Sequence, residues 1–245
     1  MQELIARTKK YFRFEKQEII QLLIVTLFTG FIFTFRDWGI ESLDAGLGFT
    51  HLVLAILLAL IALFFRVSVQ KITGFAFGFN STFMLWWAGL IISLVLVFIS
   101  QGYVPILLPG GIAMAMMVRH RLGEFRYGFN YWEQGIIAYS GSLANILLAV
   151  IFKILLSFNP ESWFLHKGLF MNIILALTIA LPLPKLDGVT GFFSSRLTYF
   201  FSYGVLVGIS ILIFFTTIIW TMLGGLAIGI LIWLLFYTMY EGKIG

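Results

Sequence analysis

Leu181-Pro182-Leu183-Pro184-Lys185-Leu186-Asp187-Gly188 sets two prolines and a carboxylate at the end of an apolar run. A proline removes a backbone donor and breaks a helix, and an Asp at membrane depth costs about 2.5 kcal/mol or more. A stretch that carries both reads as unwound backbone facing protein or a polar cavity, because irregular backbone is tolerated at that depth only there. Asp187 is therefore a candidate site residue, and the fold question becomes what it faces.

The chain around this stretch has the composition of a polytopic membrane protein. Of its 245 residues 60% are hydrophobic and 11% charged, with a mean hydropathy of +1.01, which excludes a soluble globular core. Apolar runs of roughly 18 residues or more recur, and no polar stretch between them is long enough for a separate extramembrane domain. A basic segment over 1–18 and one membrane domain over 19–245 account for the whole. Cysteine is absent, which excludes disulfides, iron–sulfur ligation and thiolate catalysis. The net charge of +5 does not call for nucleic acid, because the basic residues sit in short connections between apolar runs, where topology explains them.

In the first segment Arg7, Lys9, Lys10, Arg13 and Lys16 are interleaved with Leu4, Ile5, Tyr11, Phe12 and Phe14. This pattern fits an interfacial helix touching anionic lipid headgroups, or else a solvated tail that orients the first span. Spans are expected near 19–35 and 49–73. The second is interrupted near its end by Arg66, Ser68, Gln70 and Lys71, which reads most simply as a helix emerging into the interface with its basic side chains snorkelling. From Gly74 to Asn80, small or polar residues alternate with Phe75, Phe77 and Phe79, and this predicts a short strand. Residues 84–100 read as a helix, whereas 103–118 is broken by Pro105, Pro109, Gly110 and Gly111. The two halves are expected to form a re-entrant hairpin, which keeps Arg119, Arg121 and Arg126 on the side of the N-terminus. Further spans near 132–157, 168–188, 197–217 and 219–240 bring the C-terminus to that same side. Both termini are then cytoplasmic, with all but Arg36, Lys153 and Lys167 of the 16 Lys and Arg residues on or near that face.

Gly141-Ser142-Leu143-Ala144-Asn145 places small residues and one amide early in a span, enough in itself for a close helix contact bridged by Asn145. Gly204 to Gly208 and Gly225 to Gly229 are Gly-x-x-x-Gly pairs that should pack the last two spans against each other. His51, His120 and His166 have no metal-ligand spacing, and interfacial roles suit them better. There is no phosphate-binding loop, no Ser, His and Asp constellation and no visible inverted repeat.

Together, Gly141 to Asn145 and Leu181 to Gly188 resemble two signatures of the site-2 protease family of intramembrane zinc metalloproteases: a Gly-Pro-Leu-Ala-Asn segment followed by a Leu-Pro-x-x-Pro-Leu-Asp-Gly segment. Pro109-Gly110-Gly111 resembles a Pro-Gly turn of prokaryotic members, and the likeness covers about 49–196. The resemblance implies an all-α polytopic fold: a three-helix core with flanking transmembrane helices, including a C-terminal pair over about 197–240, a re-entrant hairpin and a short membrane-associated strand. It also implies that Asp187 corresponds to the third zinc ligand. The family's His-Glu-x-x-His motif is absent, however, and its position falls on Arg66-Val67-Ser68-Val69-Gln70. Ser142 and Lys185 stand where the family has Pro, and Ile179 where it often has Asn.

A guanidinium cannot ligate zinc, Val cannot move a proton, and one carboxylate does not hold a catalytic metal. His51 lies about 22 Å from Arg66 along a helix and does not replace a ligand. Zinc is therefore expected to be absent, and an Arg66 to Asp187 ion pair assisted by Gln70 is expected in its place. The alternative leaves Arg66 snorkelling and Asp187 capping the following helix. The resemblance further implies a cleft for an extended client segment beside Phe75, Phe77 and Phe79, with Gly141 and Asn145 near it. The expected function is a catalytically inactive protein that binds or scaffolds membrane-protein segments, or serves as a subunit of a membrane complex. An active zinc metalloprotease with ligands elsewhere, and a transporter or lipid-binding protein on the same fold, are the other readings.

Overall fold

The computed structural model describes residues 2–39, 44–117 and 130–240. In chain order the described elements are α1 (Gln2–Tyr11), α2 (Lys16–Thr34), α3 (Ala45–Ala76), β1 (Phe79–Leu85), α4 (Trp87–Ile99), β2 (Gly110–Met116), α5 (Tyr131–Leu156), α6 (Trp163–Ile179), α7 (Asp187–Ser194), α8 (Arg196–Leu212) and α9 (Ile218–Met239). Helices α2, α3, α5 and α9 are long and apolar enough to cross a membrane, and α4, α6 and α8 are shorter apolar helices. The protein is thus a mostly helical membrane protein. Polar caps mark several of the starts: Asp44 accepts from the Leu47 N–H, Asn130 from Trp132, Ser162 from Leu165 and Ser195 from Thr198.

Helices α2, α3, α5 and α6 share one core, in which Leu22 and Val25 meet Leu58, Ala59, Ala62 and Leu63, and these meet Leu148, Ala149, Met171 and Leu175. The small residues Ala55, Ala59 and Ala62, all buried, let α3 lie close to its neighbours along its whole length. A second cluster, Ile146, Ala176, Ala180, Leu206 and Ile209, joins α8 to this bundle. Helix α9 then packs on α8 through the two Gly-x-x-x-Gly pairs. A Cβ on Gly204 would lie 3.0 Å from the Gly229 Cα, and one on Gly208 would lie 2.9 Å from the Gly225 Cα.

The sheet departs from the expected strand at Gly74 to Asn80. Helix α3 continues to Ala76, so Phe75 is helical and wholly buried and Phe77 is the residue that caps the helix; only Phe79 of the three lies in a strand. Gly78, at φ +79°, turns the chain, and β1 folds back so that a Cβ on Gly74 would lie 2.6 Å from the Ser81 Oγ. The period-two pattern begins at the turn rather than inside the helix, with Phe79, Ser81 and Phe83 facing inward. An unexpected second strand pairs with it antiparallel, Phe79 opposite Met116 and Phe83 opposite Ile112.

Between the two strands, the chain runs out as α4 and returns over 103–109 without helix. Phe98 near the end of α4 meets Phe31 and Phe35 near the end of α2, with ring centroids 6.2 and 5.0 Å away. On the return, the Leu108 N–H donates to the Ser93 hydroxyl at 2.8 Å and the Pro109 carbonyl accepts from the Trp86 N–H at 3.1 Å, so prolines sit where no donor is needed. Gly110, at φ +117°, has no room for a side chain, since a Cβ would lie 2.1 Å from the Met84 carbonyl oxygen. Arg119, His120, Arg121 and Arg126 lie outside the described residues.

Gly208→Val tests the helix pair. Its Cβ meets backbone that cannot step aside, and the variant should lose about 1–3 kcal/mol, read as a lower unfolding temperature in detergent.

Candidate functional site

The polar residues near the end of α3 do not emerge into an interface; Arg66, Gln70 and Lys71 are all buried. Arg66 and Gln70 are four residues apart and share one face of the helix, while Val67 and Lys71 share the next. The first face meets Asp187. The second meets α2 and β1.

Asp187 is the first residue of α7, where the chain resumes its helix after the broken stretch from Ala180. Its carboxylate makes no capping bond to α7. The Arg66 Nη2 donates to Asp187 Oδ2 within a buried ion pair. The same oxygen accepts from Gln70 Nε2 at 2.7 Å, and Oδ1 accepts from the Ile112 backbone N–H of β2 at 2.8 Å. Gln70 Nε2 also reaches the Ala138 carbonyl of α5 at 3.2 Å. Two glycines make this approach possible. A Cβ on Gly111 would lie 2.6 Å from Asp187 Oδ1, and one on Gly141 would lie 2.3 Å from Gln70 Nε2. The stretches around Gly111, Gly141 and Asp187 thus converge on Arg66 and Gln70. Lys185 takes φ +63°, a conformation closed to a proline ring.

A second buried charge cluster lies on the other face of α3, and Glu18 is the residue missed in the sequence. Grouped there with the basic segment, it belongs instead to the first turn of α2 and is only 3% exposed. Glu18 pairs with Lys71 at 3.0 Å, Lys71 donates to the Ser81 carbonyl at 2.8 Å, and Glu18 accepts from the Phe83 N–H at 2.8 Å. Gln21 accepts from the Leu85 N–H at 3.1 Å. No local signal in the sequence marks this pairing, whose partners lie 53 positions apart.

These contacts close the outer edge of β1. The alternation of an antiparallel ladder turns Phe83 and its partner Ile112 away from each other, and Met114 and Met116 follow Ile112 in phase on the outer edge of β2. Ile112 gives its N–H to Asp187; Met114 and Met116 have no outward partner among the described residues. Asn145 is wholly buried, and neither its oxygen nor its nitrogen meets a partner there.

The donor set does not fit zinc. Arg66 offers no lone pair, Val67 is apolar and Gln70 is already committed through its nitrogen, leaving one carboxylate. His51 stacks on Trp163 with ring centroids 3.9 Å apart, and His166 bonds the Pro160 carbonyl at 2.7 Å. Among the described residues no three His, Cys, Asp or Glu side chains form a group able to hold a metal ion.

Asp187→Asn should cost about 3–5 kcal/mol, because it leaves the Arg66 charge buried without its counter-charge; adding Arg66→Met should recover most of that loss. Unfolding temperatures of the single and double variants in the same detergent decide it, and an Asp187→Asn protein as stable as the parent would show that the pair carries no such coupling. Glu18→Gln, which can keep its oxygen on the Phe83 N–H but puts an amide donor where Glu18 faces Lys71, should cost about 3 kcal/mol or more by the same reasoning.

No protein-family model and no solved structure matches the chain. It is similar to a protein of Methanocaldococcus jannaschii named "Putative zinc metalloprotease", 29% identical over 185 residues, which cover 72% of this chain and 84% of that protein.

Proposed function

We propose that this chain is a site-2-protease-like membrane protein without proteolytic activity, which binds extended segments of other membrane proteins or holds them within a membrane complex. The observation that carries this reading is the carboxylate of Asp187, whose two oxygens take Arg66, Gln70 and the Ile112 N–H. A site held this way has neither a base nor a Lewis acid to activate water.

The geometry around it still suits an extended guest. The outer edge of β2 offers the N–H and C=O groups of Met114 and Met116 to another strand, a mode of recognition in which main-chain bonds give affinity. The strand proposed for the client is therefore β2, not the Phe75 to Phe79 stretch. Asn145, buried and unpartnered among the described residues, is the kind of polar group that a guest's backbone satisfies. In this reading both termini are cytoplasmic, and α1 rests on anionic headgroups with Ile5, Tyr11 and Phe12 exposed beside Lys9 and Lys10.

The similarity to a protein named as a zinc metalloprotease favours one other reading, an active enzyme whose ligands lie elsewhere in the chain. Metal analysis on protein copurified from native membranes separates the two. The proposed function expects no stoichiometric zinc and a membrane-protein partner in fixed ratio; about one zinc per chain would overturn it. Reinstating the motif with Arg66→His, Val67→Glu and Gln70→His should raise the zinc content to about one per chain, since Asp187 then completes three ligands.

A further inference from the structure

At the opposite end of α2 from Glu18, a cavity of about 430 Å³ lies between the α2 C-terminus, the turn after α4 and the start of α6. Arg36, Asp37, Tyr103 and Lys167 line it, with Phe33 and Phe170. The Arg36 guanidinium stacks on the Tyr103 ring, 3.8 Å from its centroid. Stacking occupies the faces of a guanidinium and leaves its N–H donors at the edge, and none of these meets an acceptor among the described residues. Lys167 is fixed by the Phe33 carbonyl at 2.7 Å and the Asp37 carboxylate at 3.0 Å, above the Trp163 ring. Among the described residues, two cations against one carboxylate leave the lining with one positive charge in excess.

The level of the cavity says what meets that charge. Helix α2 ends at Thr34, two residues before Arg36, and Tyr103 under Arg36 and Trp163 under Lys167 flank it, as aromatic residues do at a membrane boundary. Phe170, two turns into α6, is 38% exposed and continues the apolar wall toward the membrane interior. A ligand with a single negative charge at the headgroup level and an apolar body below it fits this lining. Basic pockets between membrane helices hold lipid headgroups on the same physical grounds.

We propose that this cavity binds the phosphodiester of a glycerophospholipid, with Arg36 and Lys167 holding the phosphate and Phe170 flanking the acyl chains. The site is independent of the Asp187 locus and of whether the chain cleaves anything.

Native mass spectrometry of the full chain in detergent, titrated with phosphatidylglycerol or with a diacylglycerol of the same acyl chains, tests the proposal. One phosphatidylglycerol should be retained and the diacylglycerol should not. Arg36→Gln should weaken retention on the order of tenfold, with Arg36→Lys in between, while unfolding in lipid-free detergent stays at the parent temperature. Equal retention of both lipids, or retention unchanged in Arg36→Gln, would overturn the site. Lipid lost from a Lys9→Gln, Lys10→Gln variant and kept by Arg36→Gln would overturn it as well, since the binding would then belong to α1. Inorganic phosphate that stabilises the parent as strongly as the lipid, in an Arg36-dependent way, would overturn the lipid assignment and leave a free-anion site.

Discussion

A carboxylate taken out of water must be neutralised or hydrogen-bonded, and Asp187 is answered from two separate parts of the chain. Arg66 and Gln70 reach it from α3, and the Ile112 N–H from β2. Asp187 itself opens α7. No two of these elements can shift without unpairing a buried polar group, at a cost of about 1–3 kcal/mol for a neutral one and more for a charge. The ion pair is weak evidence for overall stability, because desolvating both partners offsets most of their attraction. Its effect is on register: it fixes where α7 and β2 sit along α3.

Helix α3 carries a second such fixture one residue further on. Glu18 and Lys71 tie α2 and β1 to the neighbouring face, and their hydrogen bonds to Ser81 and Phe83 use backbone groups that an edge strand would otherwise present. The two-stranded sheet therefore has unlike edges. An exposed strand edge templates pairing with any chain that approaches, and proteins close such edges with inward-pointing charge. Here the closure falls on the edge away from Asp187, while on the edge beside it Met114 and Met116 have no outward partner among the described residues.

Four of the six expected spans, those near 19–35, 49–73, 132–157 and 219–240, were readable because length and hydropathy suffice for a helix that must satisfy its own backbone in lipid, while 168–188 and 197–217 hold shorter apolar helices. The mutual packing of the last two spans was readable for a related reason, since glycines at Gly204 and Gly208 opposite Gly225 and Gly229 leave few other uses. Strands were not. Gly-Gly-Ile-Ala-Met-Ala-Met in β2 carries residues that favour helices as much as strands, and only pairing with β1 makes it extended. The alternation of phenylalanines began inside α3, where Phe75 faces the core at helical spacing, so its period was misassigned. At the site, Arg66, Gln70 and Asp187 could be connected through motif spacing, as could Gly141. Glu18 could not, because its partner lies 53 positions away and nothing local marks the first turn of α2 as buried.

In the proposed reading, Arg66, Val67 and Gln70 stand where a zinc motif would and act as a set. With two neutral imidazoles and a carboxylate, a zinc site carries its own positive charge, and removing the metal strands the carboxylate. Replacing one imidazole by a guanidinium restores a cation whose donor geometry matches a carboxylate, and replacing the other by an amide adds a donor without adding charge. Gln70 then bridges Asp187 to the Ala138 carbonyl, so α5 stays docked on α3 without a metal between them. Gly141 is needed for the amide as it would be for an imidazole, since no side chain fits between α5 and the α3 face at that level. Val67, wholly buried, fills the remaining place with carbon. A helix contact that a metal could have held is held instead by hydrogen bonds. In the proposed reading, that exchange removes the means of activating water while leaving the strand edge beside it in place.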